Sequence, residues 1–291
     1  MATNQVNTSS MVGLIPQDLS TEIIKNIAEG STMLKVAEIV EMKEPTKTFP
    51  VELTSPGAYV VGEGQKITVD KATWATVELA AKKLGVIVPV TKEALNDGIV
   101  NVIEEVKGQI AEAFAKKLDK VTLFDSTDFY GAGKSIFELA TAKGNKITNT
   151  GHIFNDAANA MGLIEGIDLD PNAFVAPKTL KAVIRNDIGS DKHYVVEDKV
   201  NGVPAKMHGE SIVYAQGFDK TKAKLITGDF SKVYVGILDD IEYAISTEGT
   251  VGDINLFEQD MVAVRATMRV GFLVIKPEAF AYVDNTAVVT P

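Results

Sequence analysis

Gly131-Ala132-Gly133-Lys134-Ser135 ends in the Gly-Lys-Ser of a phosphate-cradling loop, whose backbone amides and lysine hold phosphate oxygens. The context opposes that chemistry. The first glycine of such a loop would fall at Asp128, whose carboxylate repels an anion, and the segment follows a helical pattern rather than a buried strand. A linker between a helix and a domain is expected instead. Asp168-Leu169-Asp170-Pro171-Asn172 opens like a calcium loop, but its sixth position is Ala173 and its twelfth Thr179, which removes the tight turn and the bidentate carboxylate. A turn leading into a strand at Phe174-Val175 fits better. His152, His193 and His208 lack i, i+4 spacing and an accompanying glutamate motif, which argues against zinc. Gly209-Glu210-Ser211-Ile212-Val213 lacks the closing glycine of a nucleophile elbow. No catalytic, cofactor-binding or metal-binding set is expected, and the chain reads as a non-enzyme.

With 291 residues and 45% hydrophobic content, the chain can bury a sizeable core as one elongated domain or two. It has no cysteine, so stability must come from packing without disulfides or thiolate-bound metal, as suits a reducing cytoplasm. A net charge of −10 argues against a broad basic surface for nucleic acid, because such affinity comes from cations displacing counterions. No signal peptide and no run of about 18 apolar residues is evident, so a soluble protein without membrane contact is expected.

The elements point to architecture. Residues 1–13 read as a polar arm, followed by a helix capped at Asp18 or Ser20 with Leu19, Ile23, Ile24 and Ile27 on one side and its end at Gly30. A second apolar set, Met33 to Val40, leads to Pro45. Pro56, Gly57, Gly62 and Gly64 punctuate runs rich in Val, Ile, Thr and Trp, which predicts an extended β-hairpin over roughly 46–82. Ile99, Ile103, Val106, Ile110, Phe114, Leu118 and Val121 repeat at three and four residues, predicting one long helix from Thr91, its N-cap, to Phe124. Short helices and strands broken by Gly, Pro and Asn over about 130–236 predict a mixed α/β lobe. A second hairpin follows, with Ile241, Tyr243 and Ile245 facing one way and Val262, Val264, Ala266, Met268 and Val270 on its partner strand. The expected antiparallel register pairs Ile245 with Val262, Tyr243 with Val264 and Glu242 with Arg265, the last contact contributing up to about 1 kcal/mol. Its loop spans roughly 249–255. Trp74, the one tryptophan, lies on a hairpin with little core, which suggests a role between subunits.

An extended hairpin feeding a long amphipathic helix resembles the major capsid proteins of tailed bacteriophages with the Hong Kong-type capsid fold. The phrases that carry the resemblance are Leu14-Ile15-Pro16, Tyr59-Val60-Val61-Gly62-Glu63-Gly64, Val77 to Val90, Thr91-Lys92-Glu93-Ala94-Leu95-Asn96-Asp97 and Ile110 to Asp119. Later come Asn172 to Pro177, Asn201-Gly202-Val203-Pro204, Gly228 to Tyr234 and Lys276 to Val283, so roughly residues 14–283 are covered.

The resemblance implies an α+β fold: an amino-terminal arm at 1–45, an extended loop at 46–82, a peripheral domain with spine helix at 83–129 and 237–270, and an axial domain at 130–236 and 271–291. It implies self-association into pentamers and hexamers that close an icosahedral head around double-stranded DNA bound without sequence preference. The implied virion component is assembled in the bacterial host cytoplasm, with a portal protein as a further partner. Only 13 residues precede Leu14, so no amino-terminal scaffolding extension is expected, and a separate scaffolding protein, or assembly without one, is implied. Glu63, Lys66, Lys71 and Trp74 are the expected inter-subunit residues of the extended loop. Some family members join a loop lysine to an asparagine of a neighbouring peripheral domain with help from a glutamate, for which Lys66 or Lys71, Asn255 and Glu258 match by type alone; no crosslink is expected. An encapsulin-type compartment shell shares the fold and is the alternative.

Overall fold

The computed structural model describes residues 30–54, 61, 63, 65–66, 70–71, 73–97, 102–187 and 206–287. The expected polar segment at 1–13, the helix before Gly30, and His193 lie outside them. In chain order the elements are α1 (Met33–Val36), β1 (Glu38–Glu41), β2 (Thr46–Thr54), β3 (Thr73–Thr91), α2 (Lys92–Asp97), α3 (Val102–Leu123), α4 (Ile136–Lys143), β4 (Lys146–Asn149) and α5 (Ile153–Glu165). There follow β5 (Ala173–Pro177), α6 (Leu180–Asn186), β6 (Lys206–Met207), β7 (Glu210–Ala215), β8 (Ala223–Gly228), β9 (Val233–Ser246), β10 (Thr250–Val251), β11 (Ile254–Asn255), β12 (Met261–Val274) and β13 (Phe280–Ala287).

Two sheets organise them. A five-stranded sheet runs β1-β9-β12-β3-β2, and a six-stranded sheet runs β4-β13-β8-β5-β7-β6. Strands 233–246 and 261–274 belong throughout to the first sheet, so the chain changes sheets at 228–233 and again at 274–280.

The apolar stripe read from sequence covers the first sheet. Val106, Ile110, Phe114, Leu118 and Val121 of α3 are buried in one cluster with Val264, Ala266, Met268 and Val270 of β12. Period 3.6 on the helix and period 2 on the strand thus meet face to face. Thr91 caps as expected: it ends β3, and its Oγ1 accepts from the Ala94 N–H at 3.3 Å. The described helix is in two pieces, α2 and α3, while Ile99 and its neighbours at 98–101 lie outside the described residues.

In the six-stranded sheet, Phe174, Ala176, Leu225, Ala281 and Val283 face α5 and α6. The alternate residues Val175, Ile226, Phe280 and Tyr282 join α4 and Phe124 at the end of α3. The same cluster reaches α3 and the first sheet, so one continuous core ties the two sheets together.

The hairpin of β9 and β12 is antiparallel with the predicted faces, but its outer register is corrected. Near its base Val270 pairs with Ile237 and Val274 with Val233, the same offset as predicted. Farther out Val264 pairs with Ile245, Arg265 with Ala244 and Thr267 with Glu242, so Glu242 faces Thr267 and not Arg265. The register shifts between Thr267 and Val270, opposite Leu238 to Ile241. Two consecutive aspartates, Asp239 and Asp240, are poor strand formers, and two extra residues bulge there. Because two is even, every side chain keeps its face while its partner changes. The ion pair across this hairpin joins Arg269 and Asp239 at 3.6 Å.

Candidate inter-subunit interface

The first 46–54 and 73–80 segments form the expected extended hairpin, with Thr46 opposite Ala80 and Glu52 opposite Trp74. Strand β3 does not stop there: it continues and pairs from Ala81 to Thr91 with β12. One strand of 19 residues is therefore shared by the projecting arm and the sheet.

A knob and notch seat the arm on the sheet. Leu79 is fully buried, and across β9 and β12 Gly236 pairs with Gly271 directly beneath it. A Cβ at position 236 would lie 2.4 Å from Met42 Sδ and 2.8 Å from Leu79 Cδ2, and one at 271 would lie 3.0 Å from Leu79 Cδ1. Only glycine at both positions leaves room for the leucine and Met42. Phe49 adds a ring contact with Tyr234 at 5.0 Å. Sequence reasoning missed this seat, whose parts lie on four separate strands and segments.

Beyond it the arm presents side chains outward. Trp74 is 63% exposed and does not pack beneath its own hairpin. Glu63, Lys66 and Lys71 are exposed as well, and the Lys71 N–H donates to Asp70 Oδ1 at 2.8 Å. At the opposite end of β3, where Thr91 pairs with Met261, the strands β10 and β11 make a small hairpin about Gly252, whose φ of 60° suits glycine. Phe257 beside it is 80% exposed. Asn255 Oδ1 accepts from the Phe257 N–H at 3.2 Å, and Glu258 is exposed. The loop lysines and Asn255 therefore flank opposite ends of β3, about 60 Å apart at 3.3 Å per residue, so any contact between these groups must be between copies.

A second anchor was also missed by sequence reasoning. Asp119, on α3 and fully buried, accepts from the Ser31 hydroxyl at 2.7 Å and from the Thr32 and Met33 N–H groups at 3.0 and 3.1 Å. It thus caps α1 from a distant helix and fixes the point where the amino-terminal segment meets the subunit. Burial pushes its carboxyl above the ordinary value, against the opposing pull of these hydrogen bonds. The sequence signal was an acid set beside Leu118 in the helix's buried half.

The Gly-Lys-Ser segment is a capped linker, as expected. Ser135 caps α4, its hydroxyl accepting from the Glu138 N–H at 3.3 Å while the Glu138 carboxylate takes the Ser135 N–H at 3.1 Å. Ser126, fully buried, accepts the Lys134 N–H at 3.0 Å and lies 2.9 Å from Glu138 Oε2. Partial burial pushes the Glu138 carboxyl up, but hydrogen bonds from Ser135 and Ser126 together hold it below its ordinary value. The site a phosphate would need is occupied by the chain's own carboxylate.

The other motifs resolve as structure. Asn172 bonds to the turn after β8 through Phe230 N–H and Asp229 and leads into β5. His208 and Gly209, both at positive φ, form the two-residue turn between β6 and β7, which places Ser211 inside a strand. His152 lies 3.4 Å from Asp187. Among the described residues no group of three or more His, Asp or Glu could hold a metal, and no helix is long and apolar enough to cross a membrane.

One family model, described as the phage capsid family, matches residues 12–285. The major capsid protein of Staphylococcus phage 80alpha is 34% identical over 277 residues, covering 92% of this chain and 84% of that protein. A solved chain from Mycobacterium phage Adephagia superposes with a TM-score of 0.78 at 25% identity, covering 90% of this chain and 91% of that one. One from Microbacterium phage Oxtober96 gives 0.76 at 27% identity, with 88% and 91% covered. A curated phage capsid relative at this identity decides against the encapsulin alternative, and the α+β architecture is that of the Hong Kong-type capsids. On both sequence and fold, the chain belongs to the phage capsid family.

Proposed function

We propose that this phage major capsid protein closes its head shell, as pentamers and hexamers, chiefly through parts that a single subunit leaves uncovered. The observation that carries this reading is the projecting hairpin with Trp74 at 63% exposure. Two-stranded hairpins are marginal alone in water, and an exposed tryptophan on one is a natural contact anchor. The six-stranded sheet and its helices, within 130–236 and 271–291, would meet their copies around each capsomer axis. The hairpin, with Glu63, Lys66 and Lys71, and the tip carrying Phe257 would reach neighbouring subunits.

The resulting shell is a virion component built in the host cytoplasm around double-stranded DNA, with a portal protein as a partner. A net charge of −10 supports a wall that does not hold the genome by adhesion. Electron microscopy of the purified protein tests the reading. Closed shells are expected, and a protein that remains monomeric over the whole accessible concentration range refutes it. Trp74→Ala should keep its circular dichroism while shell yield falls, because a buried aromatic anchor is worth about 2 kcal/mol or more per contact.

A further inference from the structure

At the junction of the arm, the linker and α4 lies a cavity of about 280 Å³. Ala80, Leu139, Phe272 and the ring of Tyr130 form its apolar wall. The Tyr130 hydroxyl donates to Val270 O at 3.1 Å, which commits its proton within the subunit. Glu78 and Lys82 of β3 and Lys134 of the linker also line the cavity.

An apolar cavity of about 150 Å³ holds a benzene, so this one has room for a bicyclic ring. Its polar groups select which ring. Ammonium groups are attracted to aromatic faces, most strongly to tryptophan, and a carboxylate can accept the indole N–H. The chain has a single tryptophan, Trp74. Trp74 cannot enter its own cavity, because it sits on the same extended strand as Ala80, six residues and about 20 Å away. We propose that Trp74 of one copy fills the cavity of a second copy, which names the receiving surface for the inter-subunit role given to Trp74 above and rests on that reading. Such a contact joins two different surfaces, so it runs head to tail, the kind of contact that builds rings where the rotation between copies closes.

The single tryptophan and the absence of cysteine make the test direct. Trp74 emission and its quenching by acrylamide are compared in free subunits and in shells confirmed by electron microscopy. Assembly should shift the emission to the blue and lower the quenching constant at least threefold. In parallel, Trp74→Cys and Leu139→Cys subunits are mixed, assembled and treated with a short bis-maleimide. Crosslinked dimers are expected from the mixture and not from Trp74→Cys mixed with Leu163→Cys, whose cysteine lies on α5. Shells in which Trp74 is as quenchable as in free subunits overturn the proposal, as do shells that shield Trp74 but yield no Trp74–Leu139 crosslink. Failure of the unmodified protein to form shells instead refutes the assembly reading beneath it.

Discussion

Truncating Leu79 tests whether the arm is held by shape. Leu79→Ala removes three carbons from a fully buried side chain, a transfer loss of about 2.4 kcal/mol at 0.8 kcal/mol per methylene. Residual cavity raises the expected cost to about 3–5 kcal/mol, since Gly236 and Gly271 offer no side chains to fill it. The converse change, Gly236→Ala, places a methyl 2.4 Å from Met42 Sδ and 2.8 Å from Leu79 Cδ2. Overpacking there should cost about 1–3 kcal/mol, although alanine is favoured over glycine in a strand by about 0.5–1 kcal/mol where space allows. Combined, the two changes should cost clearly less than their sum, because the truncated side chain vacates the volume that the new methyl needs. Urea unfolding of unassembled subunits gives the coupling energy from the four variants, expected at about 1 kcal/mol or more in the compensating direction. Additive costs, or a Gly236→Ala variant as stable as the parent, would refute the knob-and-notch account.

Asp119→Ala should cost about 3 kcal/mol by orphaning the Ser31 hydroxyl and two amides, and protease should then cut between residues 30 and 36; an unchanged cleavage pattern counts against the anchor. Its folded pKa is raised, so its contribution favours the fold below the ordinary carboxylate value of about 3.9 and is lost as pH rises through the raised value; wild type should gain on Asp119→Asn as pH falls from neutral, measured by urea midpoints. Glu138 has the opposite sign: its lowered pKa stabilises above the ordinary value of about 4.3, and the advantage over Glu138→Gln should vanish as pH falls through the lowered one. Boiling shells in detergent should return one band at 31.2 kDa, because an isopeptide bond needs a lysine, an asparagine and a proton-accepting carboxylate from different copies brought together in one place; surviving ladders lost in Lys66→Ala or Lys71→Ala would disprove this and identify the donor.

Local patterns carried most of the architecture. The stripe from Val106 to Val121 and the alternation from Val262 to Val270 are short-range periodicities, and both mark buried faces in the structure. Register is different, because a two-residue slip preserves every face; only the bulge at Asp239 and Asp240 decides it, and alternation says nothing of a bulge. The two anchors were hidden for a related reason. Asp119 and Ser31 are 88 positions apart, and Leu79 meets glycines that read locally as ordinary strand interruptions. Exposure of Trp74 followed from the hairpin's thin core, but the cavity that complements it is assembled from a strand, a linker, a helix and a second sheet strand and has no linear signature.

The shared strand β3 also limits how the arm can move. A flexible joint at the arm's root would need a stretch of backbone free of partners, yet β3 passes from β2 to β12 without a break, Ala80 being paired with Thr46 and Ala81 with Gly271. The arm is therefore a lever rigidly mounted on its sheet. A push at its far end loads the strand's hydrogen bonds in concert and arrives as torque on the whole five-stranded unit. Any rearrangement of neighbours in the shell that carries the arm along must twist the sheet or turn the subunit, and cannot be absorbed by swinging the arm alone.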